Sequence, residues 1–261
     1  MSLNGSLEQF WQQTPALILV VTRVSSLFFT APLLGGPFIP PRAKVLLSLA
    51  IGALILPSVQ ATMPTPMPLN AGFILLVVQE VAVGMCMGFA LSLLFEGVRG
   101  GGELINRYAG FTAAENFDPD SGIGEGPIGD MLVVGMVILF FAANMHHETI
   151  AAISRSFSAV PIGGWSLNPA MLHLASKGTG DCMAVACAIS FPVLGVTMLV
   201  TVCEGVLSKA VPQINILTLS FSLKILLALI VVWAGLPMVV AFMGTCLVAS
   251  QNILATALKA M

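Results

Sequence analysis

Residues 217–258 read LTLSFSLKILLALIVVWAGLPMVVAFMGTCLVASQNILATAL, an apolar run with a single charge, Lys224. A helix rises about 1.5 Å per residue, so about 20 residues cross a hydrocarbon core, and this run is roughly twice that length. Bare backbone is not tolerated in lipid, so the run is read as helix, either kinked or divided into two half-helices at Gly235 and Pro237. Pro169–Leu207 has the same character, with its break at Pro192 and Gly195. Shorter apolar stretches at Pro15–Leu34, Ala43–Ala61, Asn70–Val98 and Pro127–Phe157 bring the set to six. No run of useful length alternates as a half-buried strand would. The fold class is therefore an all-α membrane protein of kinked long apolar helices and helical hairpins, read as one integral-membrane domain over 1–261.

Composition agrees. Of 261 residues, 57% are apolar and 8% charged, against about 45–50% and 25% in soluble domains, and mean hydropathy is +0.98. Ten basic and twelve acidic residues cannot dress the surface of a soluble globule of this size. Disorder is excluded by the same numbers, since it needs low hydrophobicity and high net charge. With a net charge of −2 there is no basic footprint for nucleic acid. The five cysteines lie inside apolar runs and read as small hydrophobes rather than a disulfide framework. Met1–Thr14 is polar and lacks the basic n-region of a cleavable signal.

The connections carry more information. Gly35–Pro41 and Pro57–Pro68 are Pro-rich turns, and Ser158–Asn168 is a short loop with Pro161 and Trp165. Arg99–Gly126 is Gly-rich, then acidic, then Gly-rich again, and is long enough to be functional. Lys209, Pro212, Gln213 and Asn215 mark a polar break between the last two apolar runs. Interrupted backbone in lipid must be covered or line a cavity, which places that turn at a subunit contact or the membrane edge. With six crossings, Arg42, Lys44, Arg99, Arg107 and Lys209 share one side and Arg155, Lys177 and Lys259 the other. The excess favours the first side as cytoplasmic.

Several motifs carry no chemistry. Gly124–Gly129 matches G-x-G-x-x-G, but the dinucleotide fingerprint needs a preceding strand, so the glycines are read as a hinge. His146-His147-Glu148 lacks the second histidine of a zinc-protease helix. No G-x-S-x-G nucleophile motif occurs. No enzyme site, metal or cofactor is expected. Gly84 and Gly88 form a GxxxG pair that permits close helix approach. Arg23, Glu80, Glu204 and Lys224 stand in apolar sequence, where an unpaired charge costs about 2.5–3.5 kcal/mol. They are either a transport pathway or ion pairs joining helices and subunits.

Four segments taken together resemble the FliR family, the R subunits of the flagellar type III export gate, and its virulence-secretion relatives. Glu204–Lys224 (EGVLSKAVPQINILTLSFSLK) is similar to the family's G-x-L-x-(R/K)-x-x-P-Q segment and the helix start after it. Leu217 stands there where Phe is common, and Ser220 and Ser222 where Gly and Pro are. Leu139–Pro161 (LFFAANMHHETIAAISRSFSAVP) is similar to the F-x-x-N-G-H stretch, with Met145 in place of the Gly. Ala109–Ser121 (AGFTAAENFDPDS) resembles the D-P loop, and Arg23, Ala31-Pro32 and Pro40-Pro41-Arg42 fit the N-terminal pattern.

The resemblance implies a non-enzymatic subunit, built like a P subunit fused to a Q subunit. Its partners would be the P and Q subunits (FliP, FliQ) in a hetero-oligomer, with the B (FlhB) and A (FlhA) subunits of the apparatus, in the flagellar basal body at the bacterial inner membrane. Unfolded export substrates would pass through the shared pore, and membrane lipid would surround or flank the assembly. It also implies a pore plug, carried over to Tyr108, Gly110, Phe111, Phe117, Asp118 and Pro119, with Gly100–Gly102 and Gly122–Gly126 as hinges. A surface loop with incidental aromatics is the plainer alternative. A self-contained small-molecule transporter, using the buried charges and broken helices, and the homologous virulence subunit also stay open.

Overall fold

The computed structural model describes residues 3–31, 40–59, 71–111, 126–166, 168–210 and 216–260. Among them run seven helices: α1 (Leu3–Thr30), α2 (Pro41–Val59), α3 (Ala71–Ala109), α4 (Pro127–Ala142), α5 (Met145–Ala159), α6 (Pro169–Ala210) and α7 (Ile216–Ala260). No strand occurs among the described residues. Pro41–Val59, Gly72–Ala109, Pro169–Ala210 and Leu219–Ala257 are each long and apolar enough to cross a membrane, and α4 with α5 makes a broken fifth candidate. The all-α membrane architecture read from the sequence holds.

Several boundaries differ from the sequence reading, among them Pro57, read as opening a turn and found inside α2. α1 starts at Leu3, with Pro15 inside it; the preceding Leu, Glu and Gln residues are good helix formers and carry the helix upstream. α3 continues past Val98 through the glycine run to Ala109, so the connection to α4 is shorter than Arg99–Gly126. The fourth apolar stretch is two helices, because Asn144 takes a left-handed conformation (φ 55°, ψ 26°), which Asn tolerates better than other non-glycine residues. There the Ala143 N–H closes the end of α4 on the Leu139 carbonyl at 2.8 Å. α6 and α7 run unbroken through Pro192 and Pro237, which corrects the half-helix alternative. Each proline removes one ladder bond, and an apolar setting offers no water for the further carbonyls that opening the helix would free.

The chain divides into two compact units, each discontinuous in sequence: Met1–Leu93 with Asn144–Gly178 and Ala249–Met261, and Leu94–Ala143 with Thr179–Val248. The core of the first unit gathers Leu19, Val20, Val24 and Leu27 of α1, Val83 and Met87 of α3, and Ile153 and Phe157 of α5. The Ser25 hydroxyl donates to the Ser48 hydroxyl at 2.9 Å, tying α1 to α2. In the second unit Phe95 of α3 meets Phe140 of α4 at 5.9 Å between ring centroids.

The GxxxG expectation is borne out in the first unit. A side chain at Gly84 would strike the Ser26 hydroxyl and the Arg23 carbonyl, and one at Gly88 would strike Thr30. α3 therefore lies almost backbone to backbone on α1. Gly84→Val is expected to destabilise this unit by about 1–3 kcal/mol through overpacking, read as a lower midpoint in thermal unfolding of the purified protein. An unchanged midpoint would refute the close approach. Gly72, which faces nothing within 4 Å, serves as the control position.

Candidate functional site

The four charges that stand in apolar sequence assemble into two separate pairs, one within each unit. In the first, Arg23 of α1 and Glu80 of α3 are each only 1% exposed. The Arg23 Nη2 donates to Glu80 Oε1 at 3.0 Å, and its Nε donates to the other carboxylate oxygen. The fork-to-fork arrangement is the strongest ion-pair geometry available to these side chains. Nη2 also donates to the Val160 carbonyl at 3.0 Å, and Nη1 to the Ser156 hydroxyl at 3.3 Å. The guanidinium carbon lies 4.1 Å from the centre of the Phe157 ring, a cation–π contact. One cation thus joins α1, α3 and α5, and both carboxylate oxygens are engaged. Ser156, Phe157 and Val160 were not foreseen, because nothing local relates them to a residue more than 130 positions upstream.

In the second unit, Lys224 Nζ of α7 lies 3.1 Å from Glu204 Oε2 of α6, with side chains 19% and 15% exposed. The Ser220 hydroxyl donates to the same oxygen at 2.8 Å. Ser220, a departure from the common family pattern, here supplies a hydrogen bond that glycine lacks. Among the described residues, Glu204 Oε1 is buried without a hydrogen-bond partner.

The approaches to segment 112–125 lie in the second unit. α3 delivers Tyr108, 43% exposed, then Gly110 at φ +88°, whose added side chain would press on the Phe221 ring, then the half-buried Phe111. On the return side Asn106, 1% exposed, accepts the Ile128 N–H through its Oδ1 at 3.1 Å. It thereby satisfies a free donor in the first turn of α4, whose own N-cap residue, Gly126, has no side chain to do so. A side chain at Gly126 would collide with Asn106. Asn106 was missed, since a cap reaching in from another helix leaves no local signature.

These contacts revise the hinge reading of the glycines. Gly97 and Gly101 pack against Cys182 and Ile189 of α6, and Gly102 against the backbone of Gly129. Close approach accounts for them within a continuous helix. Gly122 and Gly124 fall outside the described residues, as do Phe117, Asp118 and Pro119 of the plug set and Pro212, Gln213 and Asn215 of the turn set. Lys209 is exposed in the last turn of α6. Among the described residues no three His, Cys, Asp or Glu side chains gather as a metal site requires. His146 and His147 stack at 4.2 Å at the start of α5.

Residues 14–249 match the family described as bacterial export proteins, family 1. The chain belongs to that family. This export protein is 27% identical over 221 residues to the flagellar biosynthetic protein FliR of Escherichia coli (strain K12), covering 84% of each chain. To the protein of the same name in Buchnera aphidicola subsp. Acyrthosiphon pisum (strain APS) it is 28% identical, over 85% of each. To that of Bacillus subtilis (strain 168) it is 24% identical, over 95% of this chain and 93% of the relative. The FliR resemblance drawn from the four sequence segments is thus borne out along almost the whole chain.

Proposed function

We propose that this chain is a non-enzymatic core subunit of the flagellar type III protein export gate. In this reading it forms part of the pore through which unfolded flagellar substrates cross the inner membrane, at the base of the flagellum. The observation that carries the proposal is the match of residues 14–249 to an export-protein family, joined to relatives of similar length named for flagellar biosynthesis. A second support is the amount of apolar helix left without cover. Only 11% of the most apolar window of α7 is buried within the chain, and Trp233 is 79% exposed. Such surface belongs against other helices or lipid. The P and Q subunits are the expected neighbours, with the B and A subunits of the apparatus beside them.

Within this reading the Tyr108–Ser121 segment is the plug. Phe111 and Phe117 would pack against neighbouring subunits and occlude the channel at rest, with Asp118-Pro119 fixing the turn. The two charge pairs act as rivets: Arg23–Glu80 holds three helices of one unit together, and Glu204–Lys224 closes the α6–α7 hairpin. The polar turn at Lys209, Pro212, Gln213 and Asn215 would sit at a subunit contact.

Affinity purification of the tagged chain from its native membrane in mild detergent, with mass spectrometry of what remains bound, tests the proposal. Two other apolar subunits in a fixed, multi-copy ratio are expected. A lone monomer or homodimer that moves a solute in liposomes would overturn it in favour of a transporter.

A further inference from the structure

We propose that the first unit carries a binding site for one phospholipid with a zwitterionic headgroup. Its acyl chain would lie in a slot between α3, α5 and the end of α7, and its headgroup on Glu148 and Arg155. The slot has a volume of about 420 Å³, within the range of small-molecule sites. Leu91, Met145, Ala152 and Leu254 line it beside Thr149 and Ser250, and the first four are buried and apolar. That is the lining an alkyl chain requires, since each buried methylene contributes roughly 0.8 kcal/mol.

The rim decides the class of lipid. Glu148 and Arg155 stand two turns apart on α5, so they share one helical face. Arg155 Nη2 donates to Glu148 Oε2 at 3.2 Å, and the side chains are 66% and 54% exposed respectively. A guanidinium has five donors, and this ion pair uses one. A phosphate fits the remaining fork bidentately, while an ammonium a few bonds along the same headgroup meets the carboxylate. An anionic headgroup would satisfy Arg155 but face Glu148 with like charge. A fatty acid would meet Arg155 but bring no cation to Glu148. Charges facing hydrocarbon are costly, so this rim belongs at headgroup level, with the slot running from it into the apolar layer.

The test uses the intact complex purified through a tag on this chain and reconstituted in nanodiscs of equal phosphatidylethanolamine and phosphatidylglycerol. Native mass spectrometry is expected to find one phosphatidylethanolamine retained per copy of this chain. Arg155→Ala should lower that occupancy about five- to tenfold, the scale of one exposed charge contact or slightly more. Glu148→Lys should turn the preference towards phosphatidylglycerol. Both positions are exposed, so these variants should fold; wild-type subunit composition of the variant complex checks this. Photo-crosslinking from Ser158, which lines the slot, should label lipid. Equal retention of the two lipids, no retained lipid, or crosslinks from Ser158 to another polypeptide alone would overturn the site.

Discussion

Arg23→Ala will destabilise the first unit by about 3–5 kcal/mol, the cost of leaving a buried charge without its partner. Total stabilities are about 5–15 kcal/mol, so this substitution removes much of the margin and should reduce accumulation of the chain severely. The reason is local. Glu80 is 1% exposed and takes both of its carboxylate contacts from Arg23, so truncation strands a buried anion. The Val160 carbonyl and the Ser156 hydroxyl lose a donor at the same time. Glu80→Ala should do comparable damage from the other side. The informative variant is the double exchange Arg23→Met with Glu80→Leu, because replacing a buried pair by apolar side chains of similar volume is often neutral. Thermal unfolding of the three variants is expected to rank the double exchange well above either single change. If Arg23→Ala melts within about 1 kcal/mol of the native protein, the buried pair is not what holds α1, α3 and α5 together.

Gly102→Val comes next in size, at about 3 kcal/mol, the upper end of ordinary overpacking. What an added side chain would meet at Gly102 is the Cα and the nitrogen of Gly129, the latter at 3.0 Å. Backbone cannot rotate aside as a side chain can, so α3 and α4 must separate, pulling Asn106 off the Ile128 N–H. Two residues earlier in the same glycine run, the first contact at Gly100 is the Ala186 methyl at 3.6 Å, an ordinary van der Waals distance. Gly100→Ala should therefore be neutral or mildly stabilising, because alanine is the better helix former. Protease resistance and the unfolding midpoint of the two variants give the comparison. Equal tolerance at both positions would restore the view that the run is a hinge.

The reading from sequence succeeded where one residue type answers one local demand. Long apolar runs demand helix, and Gly84 with Gly88 four residues on permits a close neighbour; both follow without knowing the neighbour. It failed where the demand is met from far away. Arg23 and Glu80 were each visible as costly charges, but 57 residues separate them, and no spacing links either to Val160. Asn106 likewise caps a helix that starts after an intervening segment. The early end assigned to α3 had a local remedy: Arg99, Glu103 and Arg107 recur every four residues, the spacing of one helical face, and this outweighs the penalty of three glycines once those glycines are needed for packing. Asn144 carries a weaker hint, an Asn between an apolar helix and the polar Met145-His146-His147-Glu148 start of another. The plug assignment rests on family pattern, and the described structure reaches it only as far as Phe111.

The Arg23 cluster also sets an order of events during biosynthesis. α1 leaves the ribosome carrying a cation whose carboxylate lies 57 residues further along and whose carbonyl partner lies 137 residues further. At about 5–20 residues per second, the first wait is roughly 3–11 seconds. Throughout it, seating α1 fully in the hydrocarbon would expose an unneutralised guanidinium to lipid, at about 2.5–3.5 kcal/mol. The Arg23 charge is therefore answered only once the middle of α3, with Glu80, has emerged. The last partners, Ser156 on α5 and Val160 just after it, reach a guanidinium whose charge is already balanced, so they complete its hydrogen bonding rather than its neutralisation.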